Sequence, residues 1–134
     1  MKVTAIRVNK KECDALTTKD GRVCGETDKK AGQITLLPQG VREEIDSGVW
    51  DRGLCVHRFS ENLTVNGLPQ LKEGDTLTAG TIGLCVTAAG KSCFASCAYV
   101  KENTRCALAD AACFASIVRD GTVVCGDRLQ VEER

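Results

Sequence analysis

The sequence predicts a mainly β fold, a small β-barrel with one or two short helices. About eight segments of strand length alternate in polarity or run apolar. Gly- and Asp-containing turn signals separate them at short intervals. Helical spacing is confined to a stretch after Pro38 and an alanine-rich stretch at 107–112. Many short strands with frequent turns and little helix are the pattern of a barrel or sandwich.

Residues 1–8 alternate, with Val3, Ile6 and Val8 as the bulky members, and read as the first strand. A short second strand is expected at 13–16 and a third at 22–24, with Lys19-Asp20-Gly21 as the turn between them. Residues 25–32, with Asp28, Lys29 and Lys30, form a polar loop, and 33–37 a strand. Pro38 then opens a short helix: Val41 and Ile45 stand four apart, Glu43 and Glu44 sit early, and Gly48 can close the last turn. Residues 49–57 carry no periodic signal. A strand over 59–65 runs into the turn pair Asn66-Gly67. After a loop from Pro69 to Asp75, strands at 76–79 and 81–88 join at Gly80. A strand at 114–118, a hairpin turn at Asp120-Gly121 and a closing strand over 122–131 complete the chain. Gly74-Asp75-Thr76-Leu77 is echoed by Gly126-Asp127-Arg128-Leu129, as two similar barrel corners would be.

Composition narrows the function. The 134 residues are 43% apolar and 27% charged, so residues 1–134 are expected to form one globular domain with its own core. Lys+Arg and Asp+Glu number 18 each, which leaves no basic field for nucleic acid or an anionic membrane. With only 4% aromatic residues, base-stacking platforms are not expected either. No apolar run is long enough to span a bilayer, and the first residues lack a signal peptide's apolar block. A cytoplasmic location is therefore expected, where thiols stay reduced. The odd count of nine cysteines also argues against a disulfide framework.

The chemistry is expected in residues 90–118, which hold Cys93, Cys97, Cys106 and Cys113, with Lys91 two residues before the first. Thiolate is the reactive form of cysteine, and a nearby cation favours it. Cys93 and Cys97 can share a site on a helix or turn, where four residues rise about 6 Å, and not on a strand, where they stand about 13 Å apart. Three readings compete. The cysteines can be small buried hydrophobes, which suits Cys113 between Ala and Phe. Cys93, Cys97 and Cys106 can hold zinc or an iron–sulfur cluster, although the spacing lacks the paired C-x2-C steps of such sites. Or Cys93 is a reactive thiol. Cys24, Cys55, Cys85 and Cys125 lie in strand-like runs and are expected to be buried, and Trp50 is expected in the core. His57 is the only histidine, which excludes a site built on several histidines.

Several segments together resemble the MOSC family, the domain named for the C-terminus of molybdenum-cofactor sulfurases, in its small stand-alone bacterial form. Phe59-Ser60-Glu61-Asn62-Leu63-Thr64-Val65-Asn66-Gly67 is similar to the family's Phe-x-Glu-Asn-(Leu or Ile)-Thr-x-x-Gly. Leu71-Lys72-Glu73-Gly74-Asp75-Thr76-Leu77 is similar to its turn into a strand. Cys85-Val86-Thr87 leading to Gly90-Lys91-Ser92-Cys93 resembles the strand that ends in its signature cysteine, and Gly121-Thr122-Val123-Val124-Cys125-Gly126-Asp127 its last corner. The likeness covers roughly residues 33–131 in order. Two features depart from it: residues 23–28 lack the histidine usual in the subgroup, and no proline follows Cys106.

The resemblance implies a role around molybdenum cofactor (molybdopterin) or sulfur transfer. Cys93 would carry sulfur as a persulfide or ligate molybdenum. Cys97 would resolve the persulfide or accept its sulfur. Lys91 would stabilise the thiolate or a pterin phosphate, and Glu61, Asn62 and Cys106 would contribute to cofactor binding. The implied partners are the cofactor, a sulfur-donor protein or a molybdoenzyme. The pyridoxal-phosphate domain that abstracts sulfur in the large sulfurases has no counterpart in this chain. A non-catalytic metal-binding module and a partner-docking barrel with structural cysteines are the alternative functions.

Overall fold

The computed structural model describes residues 1–27, 31–51, 58–90, 101–102 and 106–132. Strand dominates it, with two short helices among the described residues. The chain opens with β1 (Lys2–Val8) and turns at Asn9-Lys10, both with positive φ (52° and 65°), into β2 (Lys11–Cys13). This two-residue turn suits the strand twist. It brings the second strand in earlier than the sequence suggested. The expected strand at 13–16 is split by a bend at Asp14, and β3 (Ala15–Lys19) belongs to a different sheet. The turn at Asp20-Gly21 then leads into β4 (Arg22–Val23) as expected.

β5 (Gln33–Pro38) runs into α1 (Gln39–Asp46), whose apolar face carries Val41 and buried Ile45. Gly48 ends the helix at φ +85°, with Val49 N–H donating to Glu44 O (3.1 Å) and Gly48 N–H to Ile45 O (3.1 Å). That bond pair is the Schellman closure. β6 is confined to Leu63–Asn66, not the expected 59–65, because side chains replace the ladder at Asn62. β7 (Thr76–Ala79) and β8 (Ile82–Ala89) pair through Gly80, and α2 (Ala107–Ala111) precedes β9 (Cys113–Arg119).

Asp120-Gly121 makes no hairpin. β9 lies between β8 and β5, while β10 (Thr122–Val124) pairs with β3. The dipeptide carries the chain from one sheet to the other. Its docking is backbone-specific: Thr18 N–H donates to Gly121 O (2.9 Å), and Gly121 N–H to Thr18 Oγ1 (3.0 Å). The expected last strand is likewise broken, by a turn at Cys125–Asp127, before β11 (Leu129–Glu132).

Eight strands form one sheet in the order β11-β7-β8-β9-β5-β6-β1-β2, and β10-β3-β4 form the other. β5 and β6 are parallel, and the other pairs are antiparallel. The large sheet returns on itself. β2 covers β1 only at Ile6–Val8. Below that, Val3 N–H donates to Asp127 O (2.9 Å), Gly126 N–H to Val3 O (2.8 Å) and Leu129 N–H to Met1 O (3.1 Å), with a bridge between Lys2 and Arg128. The far edge strand, β11, is thereby joined to β1.

The two echoed corners are structurally alike. Asp75 and Asp127 each accept the backbone N–H three residues earlier at 2.9 Å, from Lys72 and Val124, after glycines at φ +92° and +94°. The strands they feed, β7 and β11, are partners.

Inside lie Val3, Ile6, Leu16, Ile34, Leu36, Leu63, Leu77, Leu84, Val123 and Leu129, all buried. Each such aliphatic side chain contributes roughly 1.5–3 kcal/mol relative to exposure. No helix among the described residues is long and apolar enough to cross a membrane.

Two glycines give opposite expectations. A Cβ at Gly121 would stand 2.6 Å from the Thr81 carbonyl carbon and oxygen. Gly121→Ala should therefore cost about 3 kcal/mol or more, since backbone cannot yield as a side chain can. Gly40, in the first turn of α1, has open space around it. Gly40→Ala should stabilise by about 0.5 kcal/mol. Urea unfolding of both variants checks the two signs.

Candidate functional site

Register sets the chemistry-bearing segments around one row of the large sheet. Leu63, Leu36, Cys113 and Ala89 stand in a row across β6, β5, β9 and β8. Three strand spacings make this row roughly 14 Å long. Because β6 runs parallel to β5, Glu61 and Asn62 lie on the side of this row toward Gln33, whereas α1 after β5, α2 and Ala112 before Cys113, and Gly90 after Ala89 lie on the other side.

Glu61 is fully buried and charged partners surround it. Arg42, on α1, clamps it with two prongs: Nε donates to Oε2 (3.1 Å), and a terminal nitrogen bonds Oε1. The same Arg42 nitrogen donates to Phe59 O (3.2 Å), and its other terminal nitrogen meets Asp46 Oδ1 (3.3 Å). Thr64 Oγ1 donates to Glu61 Oε2 (2.7 Å). Arg7, from β1, approaches the same oxygen at 3.5 Å while donating to Thr64 Oγ1 (2.9 Å). Burial works against the charge of Arg42, but the hydrogen bonds and charge of Glu61, with Asp46 added, outweigh it and raise its pKa. The carboxylate has its oxygens engaged, as a buried ion must.

Asn62 pins three elements. Its Oδ1 accepts from Thr35 N–H (3.0 Å) and Thr35 Oγ1 (3.2 Å), and its own N–H donates to Thr35 Oγ1 (2.9 Å). Its Nδ2 donates to Arg7 O (3.0 Å) and Glu26 Oε2 (3.3 Å), and Asn62 O accepts Arg7 N–H (2.9 Å). Glu26 Oε2 also accepts Asn9 N–H (3.0 Å).

Beside this corner lies a second apolar cluster. Leu37, Ile45, Cys106, Leu108, Ala109 and Ala112 are buried in it, with Val41, Trp50, Phe59 and Phe114 packed against them. Phe59 meets Phe114 edge to face at 6.5 Å between centroids. Trp50 is thus half-buried at this cluster's margin. The cluster links the Glu61 corner to α2, and so to Cys106 at the N-cap of α2.

The candidate thiols separate by environment. Cys106 is 4% exposed and Cys113 is 2% exposed. Burial, and secondarily the Asp75 carboxylate, pushes the Cys113 thiol up to about 11, so it is neutral and shielded. Cys24 and Cys125, expected to be buried, are exposed, and Cys85 is half-buried. Their strand-like runs end where they stand: Cys24 follows the two-residue β4, and Cys125 sits in the turn after β10. Lys91, Cys93 and Cys97 lie outside the described residues, as do Lys29, Lys30, Cys55 and His57. The stem before Lys91 is described: Gly90 N–H donates to Ala112 O (2.6 Å), and a Cβ there would stand 3.0 Å from Ala109 O. Gly90 and Cys106, which flank residues 91–105, therefore both meet α2 or its ends. Among the described residues, no group of three His, Cys, Asp or Glu side chains could hold a metal ion.

Arg42, Arg7, Thr64 and Thr35 complete this corner and were not singled out from sequence. Arg42 had one local signal, an acidic partner four residues on at Asp46. Arg7 had none, being 57 residues from Thr64.

No protein-family model matches the chain, and no curated protein matches its sequence. Solved structures do. The chain is similar to YiiM from Escherichia coli, with TM-score 0.63 and 18% identity over 100% of this chain and 71% of that one. It is similar to YiiM from Geobacillus stearothermophilus at TM-score 0.56 and 19% identity, over 99% of this chain and 75% of that one. A hypothetical protein gives TM-score 0.65 and 16% identity over 100% and 70%. At these identities the likeness is one of fold.

Glu61→Gln should cost about 3 kcal/mol, because two guanidiniums would then face a neutral amide out of water. Glu12→Gln, at the 77% exposed outer partner of Arg7, should cost less than about 0.5 kcal/mol. Chemical denaturation compares the pair. Cys113 predicts a pH effect. Its folded value, about 11, lies above the ordinary 9.0. The stability this gives is fully present below pH 9 and is lost as pH rises toward 11, because only the unfolded thiol ionises in that window. Cys113→Ala should have a flatter stability profile between those limits, read by denaturation at each pH.

Proposed function

We propose that this protein handles molybdenum cofactor or the sulfur that matures it, with Cys93 as a persulfide-carrying thiol or a molybdenum ligand. The reading draws on the fold shared with the YiiM structures, which are MOSC-domain proteins. The observation that carries it is the packing of Phe59, beside the Glu61–Asn62 corner, into one apolar cluster with Cys106 and α2, the helix against which the Gly90 stem leading to Lys91 also rests. Segments far apart in sequence, and singled out by their likeness to one family, meet around that cluster.

In the sulfur-carrying form, the Cys93 thiolate attacks the terminal sulfur of a donor protein's persulfide. A new S–S bond forms at Cys93, the donor's S–S bond breaks, and the donor leaves as a thiolate. Lys91 favours the attacking thiolate. Cys97 takes the sulfur onward by the same exchange. Glu61 and Asn62 act behind the contact surface by holding its frame, and Cys106 by packing the wall formed with α2. Molybdenum cofactor, when bound, would supply a soft metal suited to a thiolate. The described side chains offer no set of metal ligands, so the cofactor form of the reading rests on Cys93 and on Lys91 at a pterin phosphate.

A second reading has one observation in its favour. Both described cysteines of the cysteine-rich stretch, Cys106 and Cys113, are buried packing residues, as in a docking module with structural cysteines.

Mass spectrometry after anaerobic purification separates these. A denaturing mass gain of about 32 Da per sulfur atom, absent from Cys93→Ser, is the expected result for the persulfide carrier. A gain seen only under native conditions is expected for bound cofactor or metal. A bare polypeptide in both spectra would reject the first reading in favour of the docking module.

A further inference from the structure

We propose that Cys13 and Cys125 form a disulfide when the protein meets a disulfide oxidant, and that this bond locks the seam where the large sheet closes on itself. The two residues come from facing segments. Val124 is the register partner of Ala15, and one step on, Cys125 N–H donates to Asp14 O at 3.1 Å. The Cys125 Sγ lies 3.9 Å from the carbonyl oxygen of Cys13 itself. Cys13 Sγ lies 3.4 Å from Ala15 O. Cys13 Sγ also lies 3.8 Å from Ile6 O, so both thiols sit beside Asp14 and hold only weak sulfur–carbonyl contacts that rotation about Cα–Cβ releases. Cys13 stands one residue along from Asp14, the partner of Cys125, and a strand spacing of about 4.8 Å across with about 3.3 Å along gives roughly 5.8 Å, inside the Cα separations of about 4.4–6.8 Å that a disulfide spans.

The two thiols also differ in the way a stepwise exchange requires. Cys125 is exposed and meets the oxidant, while Cys13 is half-buried and follows. Burial, then Asp14, Cys13 and Glu12, raise the Cys125 pKa, with a backbone hydrogen bond from Ile6 opposing them. Cys13 is thus within electrostatic reach of Cys125, and formation should quicken as pH rises. With glutathione disulfide as oxidant, the Cys125 thiolate attacks one sulfur, the oxidant's S–S bond breaks, and one glutathione leaves. The Cys13 thiolate then attacks the Cys125 sulfur and expels the second glutathione. Two thiol protons pass to the medium, and two electrons reduce the oxidant to two glutathione thiolates.

The consequence follows from position. Gly126 and Asp127, next to Cys125, hold Val3, and Leu129 holds Met1. A bond between residues 112 apart would tie this corner to the β2–β3 bend and remove much freedom from the unfolded chain.

The test is to incubate the reduced full chain with glutathione disulfide and map it without reduction. The expected products are a Cys13–Cys125 linked peptide, an intact mass about 2 Da below the reduced protein, and a Tm higher by about 10 °C or more. Cys13→Ser and Cys125→Ser should each abolish all three. Glutathione retained on Cys125 with no linked peptide would overturn the proposal. So would a linked protein that melts no higher than the reduced one.

Discussion

The buried carboxylate of Glu61 is the contact on which this end of the molecule depends. It stands where the chain must solve a register problem. β5 and β6 are parallel, so no tight turn can align them; residues 39–62 intervene. Hydrophobic alternation alone would allow a two-residue slip. Glu61 joins Arg42 of α1 and Arg7 of β1, while Asn62 locks Thr35 of β5. Those partners can be satisfied together in one alignment only. The desolvation cost of a buried charge is several kcal/mol, so the cluster is better understood as a device for uniqueness than as a source of net stability.

The same reasoning accounts for what was legible in the sequence. Strands with alternating polarity and turns with Asp-Gly or Gly-Asp were readable, because their chemistry is local. So was α1, whose apolar pair and closing Gly48 sit within ten residues of one another. Asn9-Lys10 was missed because Lys10 occupies a left-handed conformation that usually advertises itself with glycine. Asp120-Gly121 was read as a hairpin because the dipeptide fixes a turn and says nothing of which sheet follows. The 59–65 segment looked like strand throughout, yet its first half bonds through side chains to elements 19 to 55 residues away. Nothing local encodes that.

The candidate site was legible to the same uneven degree. Glu61 and Asn62 were named through a family resemblance and Cys106 first through the cysteine-rich stretch, and one apolar cluster joins Phe59, beside the Glu61 corner, to Cys106 and α2. Their arginine partners were hard to read, since an arginine on a helix or strand face is ordinarily a solvated one, and the Asp46 four residues after Arg42 suggests only a surface pair. Cysteine burial was the least readable property. Cys113 is in the core as its Ala and Phe neighbours suggest, but Cys24 and Cys125 are exposed, because strand-like composition continues past the point where pairing stops.

That division of the cysteines bears on the sulfur chemistry. A carrier thiol must be accessible and must ionise near neutral pH. Cys113 meets neither condition, being 2% exposed and pushed up to about 11. Cys106 fails the first, enclosed by Leu37, Ile45 and the residues of α2. Moving Cys106 to a ligand would open the cluster that joins α1 to α2, and with it the packing of Phe59 beside the Glu61 corner, and moving Cys113 would open the main core. At this end of the sheet, the described cysteines are thus too deeply built into the frame to do the work. The proposed sulfur-carrying role is therefore not one for Cys106 or Cys113, and substitution of either should be felt as loss of stability and not as loss of a transferred atom.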